Sequence, residues 1–168
     1  MGKFTVTHEI HCNEETFWKV FFDRDFNMDL FLKELHFPEY SILEQRETDQ
    51  SIVRKVSGTP KMDVPAPVMK LLGPGFKYVE EGTFDKATKR WSFQMTPNVL
   101  HGKLFNKGNM RAEPVGEARV RRIAEIVVEA KVFGVGGLLE STGEKQIRQG
   151  WDSSAAFMNR WLKKAQAG

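Results

Sequence analysis

The chain has 168 residues and a mass of 19.3 kDa, 40% of them hydrophobic and 28% charged. That is enough for one domain with a sizeable core and unlike a disordered or fibrous chain. Its 25 Lys/Arg against 22 Asp/Glu leave a net charge of +3 with no dense basic block, which argues against a nucleic-acid partner.

A single cysteine, Cys12, excludes an intrachain disulfide and a cysteine-based zinc cluster. The first residues alternate and lack the apolar core of a signal peptide, and no apolar run is long enough to span a membrane. The expectation is one soluble, cytoplasmic domain over residues 1–168.

Residues 3–11 alternate, with Phe4, Val6, His8 and Ile10 on one face, and predict a strand. Asn13 offers a side-chain oxygen as a helix N-cap, with Glu14 and Glu15 in the first turn where the helix dipole favours them. Phe17, Val20 and Phe21 follow at helical spacing. Asp23 to Asn27 are expected to break this short helix, and a second short one carries Met28, Phe31, Leu32 and Leu35 before Pro38.

Residues 39–48 and 51–58 flank Asp49-Gln50 as a hairpin. Four prolines between Pro60 and Pro74 rule out a strand there and leave room for a turn of helix at Val68–Leu72. Residues 76–84 and 89–96 predict the next hairpin, and 101–112 a strand interrupted by Gly102 and Gly108. Residues 117–132 read as one long strand of ~16 residues, a length that implies strong curvature and a bulge.

From Leu138 to Ala165 the period changes. Ile147, Trp151, Ala155, Met158 and Leu162 recur at helical spacing, predicting a helix roughly 40 Å long. Gly143 and Gly150 inside it mark a kink, close approach to the sheet, or nothing. The fold class expected is α+β: antiparallel strands curved around the long C-terminal helix, with two short helices after the first strand.

That order resembles the helix-grip fold of the START-related and birch-pollen-allergen-like superfamily. The resemblance rests on Phe4-Thr-Val-Thr-His8 followed by Glu14-Glu-Thr-Phe-Trp18, and on Gly134-Val-Gly-Gly-Leu-Leu-Glu140 running on to Trp151 and Trp161. Over nearly its whole length the chain looks like an uncharacterised bacterial family within that superfamily. The resemblance implies a hydrophobic-ligand cavity, since members bind lipids, sterols, polyketides or plant hormones. A minority are cyclases, dehydratases or hydrolases, and no catalytic motif of theirs is present to carry over.

Candidate ligand contacts are the aromatic and thioether side chains at inward parity. Phe76 and Tyr78 share one strand face, Trp91, Phe93 and Met95 another, with Trp151 and Met158 on the helix. These same residues would fill a solid core equally well.

Arg122 shares parity with Val120, Ala124, Ile126 and Val128, and Arg54 sits between Ile52 and Val56. Either both arginines point inward, where with Glu80 they could fix a polar headgroup, or a bulge turns them to solvent. His8 and His11 fall on opposite strand faces and His36 and His101 are isolated, so neither a metal nor another cofactor is expected. Gly134-Val-Gly-Gly137 lacks the Lys-Ser/Thr ending of a phosphate loop and reads as a sharp turn into the last helix. Val68, Met69 and Leu72 are either exposed, covering a cavity mouth or making a transient membrane contact, or part of a cross-connection packed over the sheet.

The leading expectation is binding, transport or sensing of a hydrophobic small molecule or lipid, without catalysis and with no protein partner predicted. The alternatives are a cyclase- or dehydratase-type enzyme using Glu80 with Arg122, or His8 with Tyr78, and a solid-core interaction domain.

Overall fold

The computed structural model describes residues 2–167. Seven antiparallel strands form one open sheet in the order β1-β7-β6-β5-β4-β3-β2. They are β1 (Gly2–Ile10), β2 (Glu39–Glu47), β3 (Ser51–Thr59), β4 (Tyr78–Asp85), β5 (Arg90–Pro97), β6 (Leu104–Pro114) and β7 (Val120–Ala130). Three short helices, α1 (Glu14–Phe21), α2 (Arg24–Asp29) and α3 (Ala66–Leu72), precede the long α4 (Gly136–Ala167), which lies in the concave face. This is the helix-grip architecture.

Local chemistry explains most boundaries. Asn13 caps α1 by accepting from the Thr16 N–H at 2.8 Å. The expected break at Asp23 to Asn27 is shorter than predicted: Asp23 lies between the helices and caps α2 through the Phe26 N–H, while Arg24 to Asn27 are helical and the helix runs on into a π turn at Leu30–Glu34. The actual break is at Phe22–Asp23. Buried Asn27 secures it by donating to the carbonyls of Phe21 and Asp23.

Three strand predictions shift. Phe76 lies in the loop before β4, not on a strand face shared with Tyr78. Strand β6 begins at Leu104 because Leu100 to Lys103 form a turn, closed by Leu100 O accepting from the Lys103 and Leu104 N–H groups. Strand β7 has 11 residues instead of ~16. Residues 115–119 form the tight connection from β6, and after Ala130 the chain turns out of the sheet through Gly134, whose φ is +81°. The pairing of β7 runs without interruption on both sides; the bulge is in β2, between Ile42 and Glu44.

The uninterrupted register settles which side chains line the concave face. One row across the sheet runs Arg54, Gly82, Phe93, Gly108, Ile126, Phe4. The row beside it runs Val56, Glu80, Met95, Asn106, Val128. On the opposite side lie Ile52, Phe84, Trp91, Met110, Ala124, Val6, and beyond them Ala112, Arg122, His8. Both arginines therefore point inward and are buried.

The helix is not alone in covering this face. Trp18, Phe21 and Phe22 of the α1 region pack on Phe84 and Trp91, with Trp18 and Phe84 ring centroids 4.3 Å apart. A main core gathers under α1, α2 and the C-terminal half of α4. A second cluster of Val68, Leu72, Phe76, Ala130 and Leu139 closes the other end of the sheet.

Candidate functional site

Polar ties hold α4 to the sheet near both ends. Near its start, Glu140 accepts from the Ala130 N–H. Towards its end, Asn159 bridges the His11 N–H and the Glu9 carbonyl, and Arg160 pairs with Glu34. Two glycines, Gly143 and Gly150, lie along the helix between these ties. A Cβ at Gly143 would meet Val128 at 3.1 Å, so that glycine marks close approach, while one at Gly150 would meet nothing within 4 Å. Between the tied ends a cavity of about 550 Å³ remains, within the usual range of small-molecule sites.

All ten residues singled out in the sequence border it. Tyr78, Glu80, Trp91, Phe93, Met95, Arg54 and Arg122 come from the sheet, Trp151 and Met158 from α4, and Phe76 from its loop. Among the bordering residues His36, Lys61, Asp63 and Gln149 are exposed, which locates the opening. The connection after β3 is strapped across it by Gln146, whose side-chain N–H donates to the Asp63 carbonyl at 2.8 Å. Of the two alternatives for this segment the packed one holds for Val68 and Leu72, which are buried in the second cluster.

Arg54 is 6% exposed and rests in an aromatic cage. Its guanidinium lies 4.5 Å from the Phe21 ring centroid, 5.2 Å from Phe22 and 5.1 Å from Trp91. Gly82, its cross-strand partner, makes the cage possible: a Cβ there would sit 2.1 Å from the Trp91 indole, which leans over the bare backbone. Of five guanidinium N–H groups, one donates to protein among the described residues, to the Phe21 carbonyl at 2.8 Å. No carboxylate of the described residues lies within ion-pairing distance, and burial lowers the guanidinium's pKa.

Three polar groups face the same space. Glu80 is enclosed, and its partial exposure is to the cavity; burial raises its pKa, against the opposing charge of Arg54. No described residue hydrogen-bonds its carboxyl group. Burial raises the Tyr78 phenol as well, with the Glu80 charge adding to the effect. Asn106 Oδ1 is buried and lacks a partner among the described residues. With Glu80 ionised, the buried part of the lining holds two guanidinium groups against one carboxylate, while Glu34, Lys61 and Asp63 bring the whole lining to three charges of each sign.

Arg122 is built differently. It donates to Ser154 Oγ at 3.0 Å, to the Trp151 carbonyl at 2.8 Å and to His8 Nδ1 at 3.0 Å, and it lies over the Trp151 ring at 4.7 Å. Because a guanidinium only donates, His8 Nδ1 must be the unprotonated acceptor. Nε2 then carries the hydrogen and donates to Asp152 at 2.6 Å. Burial draws the Arg122 guanidinium down to about 9, opposed by Asp152, so it stays charged at neutral pH. Arg122 thus clamps α4 to β7 and β1.

Residue parity could have flagged Asn106, which alternates with Gly108, Met110 and Ala112 on the inward face of β6. Nothing local could have flagged the Phe21 carbonyl, Asp152 or Ser154, which meet the arginines only through tertiary packing. Cys12 is buried, and burial pushes its thiol up to about 11, away from reactivity. Among the described residues no group of three or more His, Cys, Asp or Glu is placed to hold a metal ion.

Comparison with solved structures bears on the fold. TTHA0849 from Thermus thermophilus is 17% identical, with a TM-score of 0.69 over 98% of this chain and 99% of that one. The Zhui aromatase/cyclase from Streptomyces sp. R1128 is 12% identical, with a TM-score of 0.66 over 97% and 94%. A START superfamily protein from Mycobacterium smegmatis is 12% identical, with a TM-score of 0.59 over 97% and 98%. At such identities the likeness shows the shared helix-grip fold. No curated protein matches the chain in sequence. The family model described as "Protein of unknown function (DUF2505)" matches residues 5–162, and the chain belongs to that family.

Proposed function

We propose that the protein binds an amphipathic small molecule in this cavity, with its apolar body against Phe93, Met95, Trp151 and Met158 and an anionic group on Arg54. The observation that carries this reading is Arg54 itself. It is a buried guanidinium with one protein hydrogen bond and no carboxylate partner, on the wall of a cavity large enough for a ligand. An unpaired buried cation is costly, and an anion from outside the chain would relieve that cost. The rings and Met95 offer adaptable apolar contact, and Asn106 and Tyr78 offer hydrogen bonds to further polar groups of the ligand.

The test is native mass spectrometry of protein purified from its own host, followed by organic extraction. A discrete adduct that is lost on denaturation and proves to be an amphipathic acid supports the reading. For apo protein, titration with a matched pair of long-chain probes, one acid and one alcohol, should show clear preference for the acid. Equal affinity for both refutes the anionic anchor.

Glu80 favours a second reading. A carboxyl group whose pKa burial raises, and which no described residue hydrogen-bonds, is suited to proton transfer to a bound ligand, as cyclase- or dehydratase-type chemistry requires. Glu80→Gln would separate the two: a carrier keeps both binding and ligand fate, whereas an enzyme keeps binding and stops converting what it binds.

A further inference from the structure

The connections that gather at one end of the sheet have a chemistry of their own. By strand register, the segments before β2 (35–38), between β3 and β4 (60–77), between β5 and β6 (98–103) and between β7 and α4 (131–135) all lie at this end. They hold Lys61, Lys70, Lys77, Lys103 and Lys131 against a single acid, Asp63, for a net charge of +4. The whole chain is +3, so everything else is net −1. The weak basic charge of the protein is therefore concentrated on one end, and all five lysines are exposed.

Phe133, in the turn after β7, projects from this surface with 104% exposure, the largest of any bulky apolar side chain described. It sits two residues after Lys131, whose N–H donates to the Lys103 carbonyl at 2.7 Å, so the two lysine-bearing turns are bound together. Glu129 and Glu140, the acids flanking this turn, are already engaged, Glu129 with Lys131 at 3.9 Å and Glu140 with the Ala130 N–H. Three of the four exposed residues at the cavity opening, His36, Lys61 and Asp63, belong to the connections at this end; the fourth, Gln149, is on α4.

We propose that this end docks on an anionic lipid bilayer, with Phe133 inserted at the headgroup level and the five lysines on the lipid charges, bringing the cavity opening to the membrane. A protein partner would be expected to match a flat apolar patch. A single ring at a loop tip within a field of lysines fits an interface that is soft and negatively charged. The placement also gives an apolar ligand a path that avoids water. This proposal does not depend on which molecule the cavity holds.

Cosedimentation of the full chain with phosphatidylcholine vesicles, with and without equimolar phosphatidylglycerol, tests it directly. Expected is binding to the anionic vesicles only, falling steeply with added salt. Phe133→Ser should weaken it on the order of tenfold, and Lys70→Glu with Lys103→Glu by at least about fivefold per lysine. Lys19→Glu, on α1 at the opposite end, should leave it unchanged. All of these substitutions are at exposed sites, and unchanged thermal melts would verify the fold. Absence of wild-type binding, indifference to vesicle charge, binding to a polyanion such as RNA but not to vesicles, or an equal loss with Lys19→Glu would each overturn the proposal. The vesicle readout needs no ligand in the cavity, so it stands or falls separately from the anionic anchor at Arg54.

Discussion

Replacing Arg54 by methionine separates a ligand-binding role from a structural one. The substitution removes a hydrogen bond from a charged donor, about 1.5–3 kcal/mol. The Phe21 carbonyl is not orphaned, because the Asn27 side-chain N–H also donates to it at 2.9 Å. Three cation–ring contacts go as well, each about 0.5–2 kcal/mol. Against these losses stands relief of the desolvation penalty, several kcal/mol for a buried ion without a counter-charge, as a rough figure. Methionine, nearly as long, recovers about 0.3–1.5 kcal/mol per ring contact in the same cage. The opposing sums are comparable, so apo stability should stay within about 2 kcal/mol of wild type or rise, which is within about 8 °C in Tm for a chain of this size.

Affinity for an acidic probe should behave quite differently, falling at least about a hundredfold once the charge is gone, while a matched alcohol changes by less than about threefold. Urea denaturation and fluorescence titration with the two probes measure both quantities. A stability loss of about 3–5 kcal/mol, as for one broken partner of a buried ion pair, would refute the reasoning and make Arg54 a structural pin. Equal weakening of acid and alcohol would refute it from the other side.

Further outcomes follow from the same geometry. Gly82→Ala places a Cβ where the Trp91 indole lies, so it should cost about 1–3 kcal/mol and shift tryptophan emission as the ring is driven off Arg54; an unchanged spectrum and melt would contradict the packing at Gly82. His8 is held below its ordinary pKa of 6.5 chiefly by burial and, further, by Arg122, in spite of Asp152. Its unfolded form takes up a proton below that pH before the folded form does. Wild-type stability should therefore decline as pH falls from 6.5 towards the folded value, with no loss from this group above 6.5. His8→Asn keeps an acceptor for Arg122 and should flatten that slope; a slope unchanged in the variant would assign the pH dependence elsewhere.

The fold was legible because its signals are local. Alternation in β1 and β5, the Asn13 cap, the prolines around α3 and the three-to-four stripe from Ile147 to Leu162 each depend on residues within a turn or two of one another. Where those signals misled, a neighbouring turn or a distant backbone partner had claimed the residues. The run 117–132 has strand-forming residues throughout, yet its ends are claimed by the turn at 115–119 and by Lys131 bonding to Lys103. Asp23 looked like a helix breaker because a capping residue and a breaking residue are the same chemistry seen from opposite sides.

The cavity residues on strands were readable from parity, since alternation assigns each strand side chain to one face once a neighbouring core residue is known; Phe76, in the loop before β4, was not. Parity could not decide between inward arginines and arginines turned out by a bulge, because a single inserted residue reverses every side chain beyond it. The continuous register of β7 resolved that, along with the placement of the bulge in β2.

Parity was equally blind to the difference between the two arginines. Arg54 and Arg122 have the same local pattern, an arginine among apolar residues on one strand face. What separates them is that Arg122 meets Ser154, His8 and the Trp151 carbonyl, groups 29 to 114 residues away in the chain, while Arg54 meets one carbonyl, that of Phe21, three rings and the cavity. A sequence by itself determines which side chains face inward. Whether an inward charge is satisfied depends on atoms brought near it by the fold, and for Arg54 and Arg122 only the tertiary structure decided that.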